Sequence, residues 1–154
     1  MKKIIITLIC VGLAAPFCLS NESLDRGMER ARRAYLESID EYEWSMDLME
    51  AACEACEDTY MTWNVEKVRE MNSGSARLVN GGTTLSCSAE YTIVLRGNIV
   101  GKRTYNARVF VRGRYSFDSR GDLRFVLEET EILDGPSTAN ELANDVVCLI
   151  GLFL

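Results

Sequence analysis

The chain has 154 residues and a formal net charge of −6, with 47% hydrophobic and 26% charged residues. This composition is typical of a folded globular protein, and it excludes a disordered chain, a collagen-like repeat and a multi-span membrane protein. The chain contains no histidine, which excludes catalytic serine–histidine and cysteine–histidine pairs and metal sites that need an imidazole ligand.

Residues 1–20 predict a secretory signal peptide. Two lysines follow the initial methionine, and the apolar run that ends at Phe17 is shorter than the ~20 residues that span a bilayer. Small Ser20 fits the last position before cleavage, so we expect residues 21–154 to form one exported domain, periplasmic or secreted, with no stable membrane anchor. Lipidation at Cys18 is disfavoured because bulky Phe17 precedes it, and an uncleaved anchor is the other alternative.

Residues 22–58 predict one long amphipathic helix. The segment has no proline, and its apolar residues recur at steps of three and four with acids between them. These apolar positions are Leu24, Met28, Ala31, Tyr35, Ile39, Tyr42, Met46, Met49, Cys53 and Cys56. A single helix that continues to Met71 is an alternative, but residues 59–65 are rich in strand-forming types and favour a strand after Asp58.

After Gly74 the hydrophobic period changes to two. Residues 84–96 and 104–117 alternate apolar and polar side chains, and a third such segment begins at Leu123 after a turn at residues 118–121. Clean alternation predicts an antiparallel sheet with one buried face and one wet face. The sequence therefore predicts an α+β fold in which a long N-terminal helix packs on a meander of four or five antiparallel strands.

The same alternation predicts the register of the last hairpin. Apolar residues must oppose apolar residues across the strands, which places Tyr115 opposite Phe125. On the wet face this register sets Arg112 opposite Glu128, as a stabilising cross-strand charge pair.

The C-terminal segment predicts a short second helix. Thr138 and Glu141 have capping-box spacing for a helix from Ala139 to about Ile150. The apolar ending is too short to span a membrane, so we expect it to pack on the domain.

Four cysteines remain after removal of the signal peptide: Cys53, Cys56, Cys87 and Cys148. In an exported chain they predict two disulfides, for which three connectivities exist. We favour one helix cysteine bonded to Cys87 and the other to Cys148, because a Cys53–Cys56 bond does not suit a regular helix. Redox catalysis is disfavoured because the surrounding acids raise a thiol pKa, and a four-cysteine zinc site is disfavoured because a second close pair is lacking.

The charges are divided along the chain. Residues 21–58 carry twelve acids and four arginines, whereas residues 59–127 carry eleven lysines and arginines and five acids. An acidic chain is a poor nucleic-acid binder, but the basic region could form an anion-binding face on the wet side of the sheet. Its candidate residues are Arg108, Phe110, Arg112 and Arg114. The interpretation we favour is that the basic sheet and the acidic helices neutralise each other across the molecule.

These observations predict a non-enzymatic exported binding or inhibitor module, without cofactor or metal, that holds a protein or an anionic ligand. The basic sheet face or a helix–sheet cleft would supply the binding surface. The alternative is a structural or assembly subunit that forms a homo-oligomer through its long helix. An enzyme is disfavoured because general acid–base candidates are poor.

Overall fold

The computed structural model describes residues 21–97 and 103–136. Its elements are α1 (Asn21–Ser38), α2 (Glu41–Thr59), β1 (Trp63–Val79), β2 (Thr84–Gly97), β3 (Thr104–Phe117) and β4 (Leu123–Asp134). The four strands form one antiparallel sheet in the order β1-β2-β3-β4. The α+β class and the antiparallel meander are confirmed, while the signal peptide, the helix predicted from Ala139 and Cys148 lie outside the described residues.

The predicted single helix over residues 22–58 is instead two helices. Asp40 has extended backbone (φ −84, ψ 173), and its carboxylate accepts a 2.9 Å hydrogen bond from the backbone N–H of Glu43. At the end of α1 the Ser38 hydroxyl donates to the carbonyl of Tyr35 at 2.7 Å. Short polar side chains that bond the nearby backbone compete with helix continuation, so α1 stops and Asp40 caps the start of α2.

The chain leaves the helix and enters a strand shortly after Asp58, as the strand-forming residues 59–65 predicted. The helix ends at Thr59 and β1 begins at Trp63, so the alternative of a continuous helix to Met71 is wrong. The strand starts a few residues later than predicted, because the backbone N–H of Tyr60 still bonds the Cys56 carbonyl and that of Trp63 bonds the Tyr60 carbonyl.

The core lies between α2 and the odd-numbered face of the sheet. From α2 it receives Trp44, Leu48, Ala51, Ala52 and Cys56, and from β2 and β3 it receives Leu85, Cys87, Ala89, Tyr91, Ile93, Leu95, Ala107, Val109, Val111 and Tyr115. Each large apolar side chain buried in this way contributes about 1.5–3 kcal/mol relative to exposure. Packing against the sheet therefore gives α2 most of its stability.

The register of the β3–β4 hairpin agrees with prediction near the turn and departs from it further along. Tyr115 lies opposite Phe125, as predicted. A bulge then inserts Glu128, so Arg112 lies opposite Glu129 and the predicted Arg112–Glu128 pairing is wrong. The bulge coincides with Gly113, where an added Cβ would approach the ring of Phe125 to 2.4 Å. A bulge bends the strand that carries it, and here the ring of Phe125 occupies the space that a side chain at Gly113 would need.

The outer strand β1 is bulged along its first half. Its pairing with β2 shifts between Val65 and Lys67, between Val68 and Glu70, and between Met71 and Ser73. Bulges bend and twist a strand and make its free edge a poor template for a further strand.

Candidate functional site

The predicted anion-binding residues lie together on the sheet face that points away from the core. They follow one another at alternate positions of β3, and each of the three arginines has a carboxylate partner. Arg108 Nη2 lies 2.7 Å from Glu90 Oε1, and Arg114 Nη1 lies 3.2 Å from Glu128 Oε1. Arg112 Nη1 lies 3.1 Å from an oxygen of Glu129. The structure therefore brings the arginines together with their counter-charges already in place.

Glu90 is the best-connected of these partners. In addition to its bonds from Arg108, Glu90 accepts a 2.9 Å hydrogen bond from Nδ2 of Asn72. The side-chain Oδ1 of Asn72 in turn accepts a hydrogen bond from the Thr92 hydroxyl at 2.9 Å. The hydrogen bonds from Asn72 and Arg108 lower the pKa of the Glu90 carboxyl. Glu90 thus stays ionised, and its negative charge neutralises the guanidinium of Arg108.

Phe110 lies on the same face, beside Arg112. The guanidinium carbon of Arg112 lies 5.5 Å from the centroid of its ring, as expected when an aromatic side chain packs against an arginine stem. An anion that binds here must displace carboxylates from exposed ion pairs, each worth at most about 1 kcal/mol. The face can therefore offer weak, exchangeable anion contacts.

The sequence did not reveal Glu90 and Asn72 as partners on this face. Glu90 lies opposite Phe110, two positions from the residue that faces Arg108, so the contact is diagonal. Asn72 reaches Glu90 from the last bulge of β1. The register of the β2–β3 hairpin was the available signal for Glu90, and no periodicity marks a bulged residue such as Asn72.

The three described cysteines are buried or half-buried thiols. Cys56 faces the sheet from α2, and Cys87 lies on the buried face of β2, where its Sγ donates to the Gly113 carbonyl at 3.4 Å. Neither is bonded to the other or to Cys53. Burial raises the pKa of Cys56 to about 12 and that of Cys87 to about 11. Such thiols are poor nucleophiles.

The acids near Cys53 act as predicted. Burial raises its thiol pKa, and the negative charges of Glu57 and Glu50 raise it further. This electrostatic setting is unsuited to redox catalysis. The predicted bridge between a helix cysteine and Cys87 is not formed among the described residues. The bridge to Cys148 stays a prediction, since Cys148 lies outside the described residues.

Two tyrosine hydroxyls of the sheet form hydrogen bonds with α2. Tyr91 donates to the carbonyl of Ser45 at 2.6 Å, and Tyr115 donates to the carboxylate of Asp47. Burial and the bond to Asp47 raise the pKa of Tyr115. Both contacts satisfy polar groups at the helix–sheet interface.

Across the described part of the chain, no three His, Cys, Asp or Glu side chains converge as a metal site.

The first half of α1 projects from the domain. Every residue from 21 to 31 is exposed, including Leu24 at 55% and Met28 at 48%. The second half rests on the sheet, where Leu36 is fully buried and Tyr35 meets the Phe117 ring edge-on at 5.9 Å. An apolar stripe of Leu24, Met28, Ala31 and Tyr35 runs along the helix and is only partly covered at its C-terminal end.

Within residues 21–97 and 103–136, neither helix combines the length and apolar character needed to cross a membrane. A scan of protein-family models finds none that matches the chain, and a search of curated proteins finds no match in sequence.

Proposed function

We propose that the protein is an exported, non-enzymatic protein-binding module that contacts its partner through α1. The observation that carries this proposal is the exposure of Leu24 and Met28 on the projecting half of that helix. Large apolar side chains that recur on one exposed helix face are typical of a helix that packs on another protein surface.

The charge pairing on the sheet supports the choice of α1 over the basic face. Arg108, Arg112 and Arg114 already have carboxylate partners, whereas the apolar stripe of α1 has little cover. The anion-binding face made of these arginines and Phe110 stays a prediction. Strong retention on a sulfated matrix at moderate salt would support it.

Export is part of the proposal and is supported by the sequence. The basic start, the short apolar run and small Ser20 predict cleavage before Asn21. A species beginning at Asn21 in the intact mass of the exported protein would agree with this. A lipidated species that starts at Cys18 would contradict it.

Site-specific photo-cross-linking in the producing cells tests the function. A photoreactive phenylalanine derivative at Met28 is expected to trap a protein adduct. The same group at Arg26, on the opposite side of the helix and paired with Glu22, is the matched control. Equal labelling at both positions, or none, would remove α1 as the binding element.

A further inference from the structure

We propose that the partner of α1 is α1 of a second copy of this chain, packed antiparallel to it. This inference rests on the proposed function and names the partner. The two helices would lie side by side around a two-fold axis near the middle of α1, so that the same surface of each copy meets itself.

The first step of the argument is the spacing of the apolar stripe. Leu24, Met28, Ala31 and Tyr35 follow one another at steps of four, three and four residues, which is the a/d pattern of a two-helix seam. α1 has 18 residues, or about 27 Å of helix. That length holds four seam positions, so the seam is short and needs further determinants of partner and direction.

The second step is the distribution of unpaired charge along α1. Two ion pairs lie within the helix, Glu22–Arg26 at 3.3 Å and Arg33–Glu37 at 3.0 Å. Among the described residues, four further charges on α1 take part in no ion pair. They are Asp25 and Glu29 in the first half and Arg30 and Arg32 in the second. The helix therefore has an acidic first half and a basic second half once the internal pairs are set aside.

This polarity decides the direction of pairing. Two parallel copies would place acids beside acids and arginines beside arginines, whereas antiparallel copies place each acidic half against a basic half. With the axis between Glu29 and Arg30, Leu24 faces Tyr35 of the second copy and Met28 faces Ala31. Asp25 and Arg32 lie on the same flank of the stripe, so each Asp25 meets Arg32 of the other copy.

The domain positions Arg32, in the basic half of α1, beside the apolar stripe. The guanidinium carbon of Arg32 lies 5.6 Å from the Phe117 ring centroid, which holds this side chain beside the stripe. On the other flank, a Cβ added to Gly27 would meet no atom within 4 Å, and Ala34 is also small. The backbones can therefore approach closely on that side. Each projecting half would rest on the sheet-supported half of the other copy.

Oligomeric state tests the proposal on the protein purified from the exported fraction. Sedimentation equilibrium is expected to give twice the mass of the chain. Asp25→Arg is expected to raise the dimer Kd about tenfold, because two complementary contacts become repulsive. Combining it with Arg32→Asp is expected to restore most of the affinity. Arg26→Asp, a charge reversal on the opposite side of α1, is the matched control and should leave the Kd within about twofold.

Helix direction is tested separately with a spin label at Glu22→Cys. In the antiparallel pair the two labels are separated by about 22 Å along the helix axis. A parallel pair would bring them to about 10 Å, the spacing between packed helices, and would overturn the proposed geometry. Far-UV circular dichroism checks that each variant is folded.

The remaining outcomes separate this inference from the proposed function. A monomer whose Met28 adduct contains a different protein overturns self-pairing and leaves the function standing. A monomer with no adduct overturns both. A monomer that dimerises only after removal of residues 137–154 shows that the chain's own C-terminal segment covers the stripe, which also overturns self-pairing.

Discussion

Gly113 allows β3 to pass beneath the ring of Phe125 at the point where the hairpin bends. The glycine is buried, and an added Cβ would lie 2.4 Å from the ring and 3.2 Å from the carbonyl oxygen of Val126. The same ring packs against Tyr115 with centroids 5.0 Å apart, so it has little freedom to move aside. One missing side chain therefore accommodates both a ring contact and a strand bulge.

We expect Gly113→Ala to lower the free energy of unfolding by about 1–3 kcal/mol, because the methyl group overpacks this site. Gly27→Ala is the matched control. It lies in an exposed helix with open space around it, so it should raise the free energy by about 0.5–1 kcal/mol. Urea unfolding at low protein concentration measures both, and a neutral Gly113→Ala would contradict the close packing of Phe125.

The buried thiols predict an alkaline loss of stability in the reduced protein. The folded state holds the pKa of Cys56 at about 12 and that of Cys87 at about 11, above the ~8.5 of an exposed thiol. Their contribution is complete below pH ~8.5 and is lost as the pH rises, because only the unfolded chain releases these protons.

Urea unfolding between pH 7 and 10 measures this effect. Cys56→Ala should give a shallower decline with pH than the parent, whatever its stability at pH 7. Identical slopes would show that the Cys56 thiol ionises alike in both states.

At the scale of elements, Asp40 separates two helices that the hydrophobic pattern joins. Asp40→Ala should lower the free energy of unfolding by about 0.5–2 kcal/mol, because α2 loses its N-cap hydrogen bond. Asp58→Ala is the matched control, since this exposed acid lies in the last turn of α2, where the helix dipole disfavours negative charge. Unfolding in urea should find it unchanged or slightly stabilised, and an equal loss in both variants would contradict the capping role.

The limits of sequence prediction also lie at this scale. Alternation located β2 and β3 almost to the residue, because a strand with one buried face must repeat every two positions. It missed the break at Asp40, since Ile39 continues the apolar spacing across it. It also missed the bulge at Glu128, because periodicity tells which face a side chain occupies and not which residue of the partner strand is extra.

The candidate sites were also predictable to different degrees, because periodicity tells which face a side chain occupies but not how two elements meet. The shared face of Arg108 and Arg112 follows from alternation within one strand, whereas the partner Glu90 depends on the pairing of two strands. The projection of α1 depends on where the helix breaks. Tertiary arrangement, rather than local pattern, thus decides which of the predicted surfaces is available.

At the scale of the whole molecule, the ion pairs among the described residues do not link the helical layer to the sheet. Among the described residues, the ion pairs lie within α1 or within the sheet and its hairpin turn. The expectation that acidic helices neutralise the basic sheet is therefore wrong for these pairs, because the paired arginines lie on the face turned away from α2. Helix α2 carries seven acids and no lysine or arginine, so the helical side of the molecule is acidic.

This distribution predicts that moderate salt stabilises the protein. Exposed ion pairs on the sheet are worth little at any salt concentration, whereas repulsion among the acids of α2 is relieved by screening. Raising NaCl from about 0.02 to 0.3 M should increase the free energy of unfolding by about 0.5–1 kcal/mol. Glu54→Lys, which replaces an exposed acid lying four residues from both Glu50 and Asp58, should stabilise at low salt and reduce the salt dependence. Urea unfolding at each salt concentration measures this, and destabilisation of the parent by salt would show that the sheet's ion pairs outweigh the repulsion in α2.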